Sequence, residues 1–211
     1  PDTLIVLLSG GGSAMLTLPA EGLALDDLRA VTEALQLAGA TINELNAVRK
    51  HCEQLKGGGL ARLAYPARVW SFILSDVVGD PLDVIASGPT APDLTTYPGD
   101  PAFQRVTHPL VGSNRLALEA VRRQAAAGGW RVEALESGVE GEAREVGARL
   151  AERAKRLRAA GGGPACLIAG GETTVTVRGG GRGGRNQELA LAAAIALDGA
   201  EGIAVASFAT D

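Results

Sequence analysis

Leu4-Ile5-Val6-Leu7-Leu8 is a continuous apolar run stopped at once by Ser9-Gly10-Gly11-Gly12-Ser13, the pattern of a strand buried on both faces of a parallel sheet. From Asp26 onward Leu28, Val31, Leu35 and Ala38 recur at steps of three and four. With Asp26 as N-cap and Gly39 as stop, this spacing predicts an amphipathic helix. Thr41-Ile42-Asn43-Glu44 has the capping-box spacing, and Leu45, Val48, Cys52 and Leu55 line one face of a second helix that Gly57-Gly58-Gly59 should end. Val69 to Leu74 reads as the next strand, emptying into the breaker-rich Ser75-Asp76-Val77-Val78-Gly79-Asp80-Pro81. Pro92, Pro98, Gly99, Pro101 and Pro109 then mark an aperiodic stretch read as a linker, which divides the chain into expected domains 1–108 and 109–211.

In the second half, Ser113 can cap a helix running through Ala127, Trp130 to Leu135 reads as a strand, and Ala143, Val146, Leu150, Ala154 and Leu157 mark another helix. Cys166-Leu167-Ile168-Ala169 has the character of a buried strand. Thr174-Val175-Thr176-Val177 alternates, which leaves the second sheet open between parallel and mixed. A tract from Gly179 to Gly184 carries Arg182 and delivers Arg185, Asn186 and Glu188 to the start of a helix over Leu189 to Leu197. Ile203 to Asp211 reads as the end of a strand. The expected class is α/β, with two Rossmann-like domains of sheet and flanking helices. The abrupt opening at Pro1-Asp2-Thr3 and the equally abrupt close suggest an internal piece of a longer protein, with both domains incomplete.

Composition narrows the function. Lys and Arg number 20 against 24 Asp and Glu, with a pI near 5.3 and no long run of like charge. No electrostatic grip on nucleic acid or a membrane surface is therefore expected. The 29 glycines and 3% aromatic content point to an aliphatic core and glycine-rich loops. Two cysteines, Cys52 and Cys166, are too few for a disulfide framework, so a reducing, cytoplasmic setting is expected. Both lie in apolar surroundings, and His51 and His108 lack partners at metal-ligand spacing, which disfavours cysteine and zinc catalysis.

The chemistry then falls to a few loops. Ser9, Gly10, Gly11, Gly12 and Ser13 follow a strand, where they could offer backbone N–H groups to a phosphate or carboxylate or simply form a tight turn. No Walker A run exists. Gly179, Gly181 and Gly184 formally match the dinucleotide fingerprint, which keeps open an NAD(P)H-dependent reductase. Arg185 at a helix entrance could clamp phosphate oxygens. Asp76 and Asp80, four apart, could meet Mg²⁺ carried on a nucleotide, accept a proton from an alcohol, or only shape a turn. Arg49, Lys50 and Lys56 gather near a helix C-terminus.

Four ordered segments carry a resemblance: Ser9-Gly10-Gly11-Gly12-Ser13-Ala14; Asn46-Ala47-Val48-Arg49-Lys50-His51 with Lys56-Gly57-Gly58; Ser75-Asp76 to Asp80 with Ser87-Gly88-Pro89-Thr90; and Gly170-Gly171-Glu172-Thr173-Thr174-Val175 with Gly183 to Glu188. Together they resemble the class II glycerate kinases, whose C-terminal part is of the MOFRL type. The resemblance implies two α/β domains around a cleft and phosphorylation of D-glycerate to 2-phosphoglycerate with ATP and Mg²⁺, with a homodimer as the expected assembly. It also implies catalytic roles for Asp76 and Arg185 and a metal role for Asp76 and Asp80. Ser9, Gly10, Gly11, Gly12, Ser13, Lys56, Ser87, Glu172, Asn186 and Glu188 would bind nucleotide or substrate. Members of the family begin further upstream, with a lysine thought to be catalytic, continue beyond Asp211, and have a longer connector between Thr90 and Gly112. Two alternatives stay open: an NAD(P)H-dependent hydroxypyruvate or tartronate-semialdehyde reductase, labels that overlap with this family, and a ligand-binding but non-catalytic piece.

Overall fold

The computed structural model describes residues 2–93 and 96–209. It separates into two compact units, Pro1–Ser113 and Asn114–Asp211. The expected α/β class holds in both, each with a parallel sheet flanked by helices.

In the first unit, β1 (Thr3–Leu8) leads into the single-turn helix α1 (Gly12–Met15), then α2 (Leu25–Leu37), α3 (Ile42–His51) and α4 (Gly59–Ala64) before β2 (Arg68–Leu74). Parallel pairing requires such a crossover, and β1 and β2 pair in parallel from Thr3 with Arg68 to Leu8 with Ile73. α2 starts one residue ahead of the expected cap. Ala24 is the N-cap, its N–H donating to Asp27 Oδ2 (2.7 Å), while Asp26 sits inside the first turn, where its charge complements the helix dipole. The capping box of α3 forms as read, with Glu44 N–H donating to Thr41 Oγ1 and Thr41 N–H to Glu44 Oε2. The helix does not reach Leu55. It closes at Cys52, and Gln54 N–H turns away to the Leu18 carbonyl.

The proline-rich stretch is more than a linker. A 3₁₀ turn at Pro101–Arg105 is tied to α4 by Arg62, which donates to Asp100 (2.8 Å) and lies 3.7 Å above the Tyr97 ring. β3 (Val106–Thr107) and β4 (Leu110–Gly112) then pair in parallel with successive halves of β2. The core sits at the C-terminal ends of the strands, where Leu8 and Ile73 meet Ile85 and Ala86. β1 is buried on one face only: Ile5 and Leu7 are exposed, as are Trp70 and Leu74 beside them on β2. The continuous apolar run concealed an alternation that only the covering elements reveal.

In the second unit, α5 (Asn114–Ala127) follows directly on Ser113, and β5 (Arg131–Val139), α6 (Ala143–Ala159), β6 (Ala165–Gly171) and α7 (Arg185–Ala196) complete the described elements. β5 and β6 pair in parallel, so among the described residues this sheet is parallel and not mixed. The alternating Thr174–Val177 segment makes a single bridge, Thr174 with Glu142, because Thr176 donates its N–H and hydroxyl to the Glu142 carboxylate instead of to a strand. α6 and α7 approach closely at Gly147, where a Cβ would meet the Leu189 backbone, and Ala143, Ala151 and Ala193 are fully buried. Ile203 to Ala209 forms no strand, and Thr210 and Asp211 lie outside the described residues.

Candidate functional site

All strands of the first sheet run in parallel, so their C-terminal ends share one edge, the usual place for ligands in open α/β sheets. There β1 runs out into Ser9 and Gly10, and Gly11 turns the chain into α1 with φ of 81°, a conformation that suits glycine. The N–H groups of Gly12 and Ser13 find no acceptor among the described residues. At the end of β2, the exposed Asp76 carboxylate lies directly over Gly10, so close that a Cβ on Gly10 would fall on it. Asp76 makes no hydrogen bond or ion pair among the described residues. An uncommitted carboxylate resting on a glycine loop can take a proton or a cation. Asp80 is part of a turn closed by its N–H on the Val77 carbonyl (3.1 Å), with φ of 55°.

Three motifs distant in sequence hold that loop. Ser87 donates its hydroxyl to Ser13 Oγ (2.9 Å), and Arg49 donates Nη2 to the Ser13 carbonyl (2.7 Å). The Lys56-Gly57-Gly58 and Ser87-Gly88-Pro89 segments zip together, Gly57 N–H donating to Ser87 O, Gly58 N–H to Gly88 O and Leu60 N–H to Pro89 O. Lys56 turns inward. Its ammonium donates to the Leu16 carbonyl (3.0 Å) at the far end of α1 and pairs with Glu53, both side chains 1% exposed. Burial pushes the Lys56 ammonium below its ordinary value, and Glu53 opposes the shift. Ala86, Ser87 and Gly88 are consecutive residues in the left-handed region, with φ of 51°, 61° and 60°. A Cβ on Gly12 would stand 2.6 Å from that of Ala86. Two non-glycine residues held there cost on the order of 1 kcal/mol or more each, strain that collects at ligand sites.

The second unit assembles its own polar edge. Arg185 opens α7 and donates Nη1 to Glu172 Oε1 (2.7 Å) just beyond β6. Asn186 Oδ1 accepts from Ser207 (2.8 Å), and Glu188 lies 3.7 Å from Arg144, which also pairs with Glu142. Arg185, Asn186 and Glu188 thus belong to the first turn of a helix, not to a loop ahead of it. A depression of about 310 Å³ is lined by Gly183 to Gln187 and Ala209. Three partners escaped the sequence reading, Ser207, Arg144 and Glu142, since single polar residues carry no periodic signal.

Residues 1–106 match the model of a domain of unknown function, DUF4147, and residues 165–211 match the MOFRL family. A D-glycerate 2-kinase from Thermotoga maritima is 41% identical across the whole of this chain. The chain belongs to the glycerate kinase family. The human glycerate kinase is 39% identical over 90% of the chain. The crystal structure of the Thermotoga maritima glycerate kinase superposes on 95% of the chain with a TM-score of 0.86, and that of a Pyrococcus horikoshii protein, 35% identical, on 93% with a TM-score of 0.77. The chain spans 57% of the Thermotoga relative and 50% of the human one.

Within the glycerate kinase frame the donor set suits a nucleotide-borne Mg²⁺ better than an ion held by protein alone. Among the described residues no group of three or more His, Cys, Asp or Glu could hold a metal, whereas Mg²⁺ bound mainly by phosphates needs only one or two carboxylates. The dinucleotide fingerprint is not built. Gly179 lies eight residues beyond the end of β6, and the tract between has no strand to turn from.

Proposed function

We propose that the protein transfers the terminal phosphoryl group of ATP to the 2-hydroxyl of D-glycerate, giving 2-phosphoglycerate and ADP. The observation that carries this is the uncommitted Asp76 carboxylate over Gly10, at the sheet edge of a chain 41% identical to a D-glycerate 2-kinase. The Gly10–Ser13 loop would bind an anionic group through its N–H donors, steadied by Ser87 and Arg49. Asp76 would take the proton of the substrate hydroxyl or, with Asp80, hold Mg²⁺, which when bound offsets phosphate charge. Arg185, with Glu172 fixing its fork, would meet the charge of the transferred group, and Asn186 and Glu188 would shape the same helix start. Lys56 would support the loop from beneath.

No described helix is long and apolar enough to cross a membrane. A cytoplasmic location and a homodimeric assembly complete the proposal. The test is a coupled assay on the full-length protein: ADP should form only when D-glycerate is present, and glycerate-independent ADP formation would overturn the substrate. An Agrobacterium vitis relative, 42% identical, is provisionally named a hydroxypyruvate reductase. NADH consumption with hydroxypyruvate, in the absence of kinase turnover, would favour that chemistry instead.

A further inference from the structure

Around the glycine loop the left-handed backbone falls to glycine at Gly11, Gly57, Gly58 and Gly88, yet Ala86 and Ser87 adopt it too, with φ of 51° and 61°. Glycine would take that conformation without strain, so the two side chains themselves are what the site retains. Ser87 shows its use directly, since its hydroxyl donates to Ser13 Oγ (2.9 Å). Ala86 has only a methyl, and that methyl lies against the preceding loop residue. A Cβ on Gly12 would stand 2.6 Å from it, which puts the methyl within contact range of the Gly12 Cα. The two strained residues thus meet two successive loop residues, Ala86 against Gly12 and Ser87 against Ser13. Those are the residues whose N–H groups find no acceptor among the described residues.

The turn that carries them is fixed from behind. Gly57 N–H donates to Ser87 O (3.0 Å) and Gly58 N–H to Gly88 O (2.7 Å), while Ala86, buried, packs with Leu8, Ile73 and Ile85. A methyl on a fixed, close-packed turn is a hard stop past which the loop cannot sink. We propose that Ala86 is a positioning residue whose methyl sets the height of Gly12 and so aims the N–H groups of the glycine loop at the anionic group they bind. Ala86 touches no ligand and acts through Gly12. The proposal rests on the glycerate kinase reading and extends it to the residue that holds the loop in place.

The test is a two-residue cycle in the full-length protein, with Ala86→Gly, Gly12→Ala and both together. Ala86→Gly removes the stop but also relieves the strain, which offsets the lost methyl, so its melting temperature should stay within about 5 °C of the wild type. Its kcat/KM should nevertheless drop about tenfold or more, because donors that have lost their aim no longer orient the reacting group. Gly12 does not hold a left-handed φ, so Gly12→Ala adds no backbone strain; alone it drives two Cβ atoms together and should lose at least as much turnover. In the double variant the new methyl points into the space that Ala86 vacates, and kcat/KM should return to within about threefold of the wild type. A methyl that only filled the core could not be replaced from Gly12. Failure of the double variant to recover therefore overturns the proposal, as does wild-type turnover in Ala86→Gly. Hydrogen exchange without ligand, read on a peptide covering residues 9–17, follows the loop itself, because Ala14 N–H donates to the Gly11 carbonyl (3.1 Å) and Leu16 N–H to that of Gly12 (2.9 Å). Exchange there should quicken in Ala86→Gly and slow again in the double variant. If the wild type shows no kinase turnover, the kinase reading fails by itself and exchange still decides. Equal exchange in wild type and Ala86→Gly overturns the role of Ala86 in either case.

Discussion

Replacing Lys56 by Met tests whether the site loop rests on a buried charge pair. Lys56 and Glu53 are each 1% exposed in their side chains, and the same ammonium satisfies the Leu16 carbonyl at the end of α1. Removing one partner leaves Glu53 with an uncompensated buried charge and Leu16 with an unfilled carbonyl. Breaking such a pair costs about 3–5 kcal/mol, against a typical total stability of about 5–15 kcal/mol. For a unit of this size that corresponds to a fall in melting temperature on the order of 10 °C or more. Urea unfolding followed by Trp70 emission in a Trp130→Phe background reports the first unit alone, since the two tryptophans lie in different units. Glu53→Leu combined with Lys56→Met removes both charges, and such replacements are often neutral, so the double variant should recover at least half of the loss. A loss under about 1 kcal/mol in Lys56→Met, or a double variant less stable than the single, would refute the reasoning.

Gly10→Ala places a Cβ on the Asp76 carboxylate, which is exposed and free to rotate away. Kinase turnover should therefore drop about tenfold or more with little change in urea midpoint, and unchanged kcat would detach Asp76 from the reaction. Arg185→Lys should fail to restore what Arg185→Ala loses, on the order of 10²-fold in kcat, because an ammonium lacks the planar fork. The half-exposed pair with Glu172 is worth under about 1 kcal/mol, so stability should barely move, and near-normal kinetics in folded Arg185→Ala would remove it from the mechanism. Burial holds the His108 imidazole, hydrogen-bonded to the buried Thr90 that also donates to Ser71, below its ordinary 6.5. Between pH 6.5 and that lower value the unfolded chain binds a proton the folded one does not. Stability should therefore drop as the pH is lowered from 6.5 through this window, by at most about 1.4 kcal/mol per pH unit. His108→Gln should flatten that part of the stability profile, and an unaltered slope would mean that another group sets it.

What the sequence determined by itself was local and periodic. The apolar run before Ser9, the Thr41–Glu44 capping box, the amphipathic spacing of α6 and the ordered glycine motifs each report on a few neighbouring residues, and each marked the element or family it should. Tertiary structure decided the rest, because those outcomes depend on partners far along the chain. β1 alternates because only one of its faces is covered, and α3 stops at Cys52 because Gln54 finds a partner in Leu18. Thr176 turns from strand pairing to the Glu142 carboxylate, and the proline-rich stretch supplies β3 and β4 because β2 has an open edge for them. The same holds at the site. The family resemblance implied a ligand-binding role for Lys56, but a charge 40 residues from Leu16 and three from Glu53 is set inward or outward only by the packing that removes water from it.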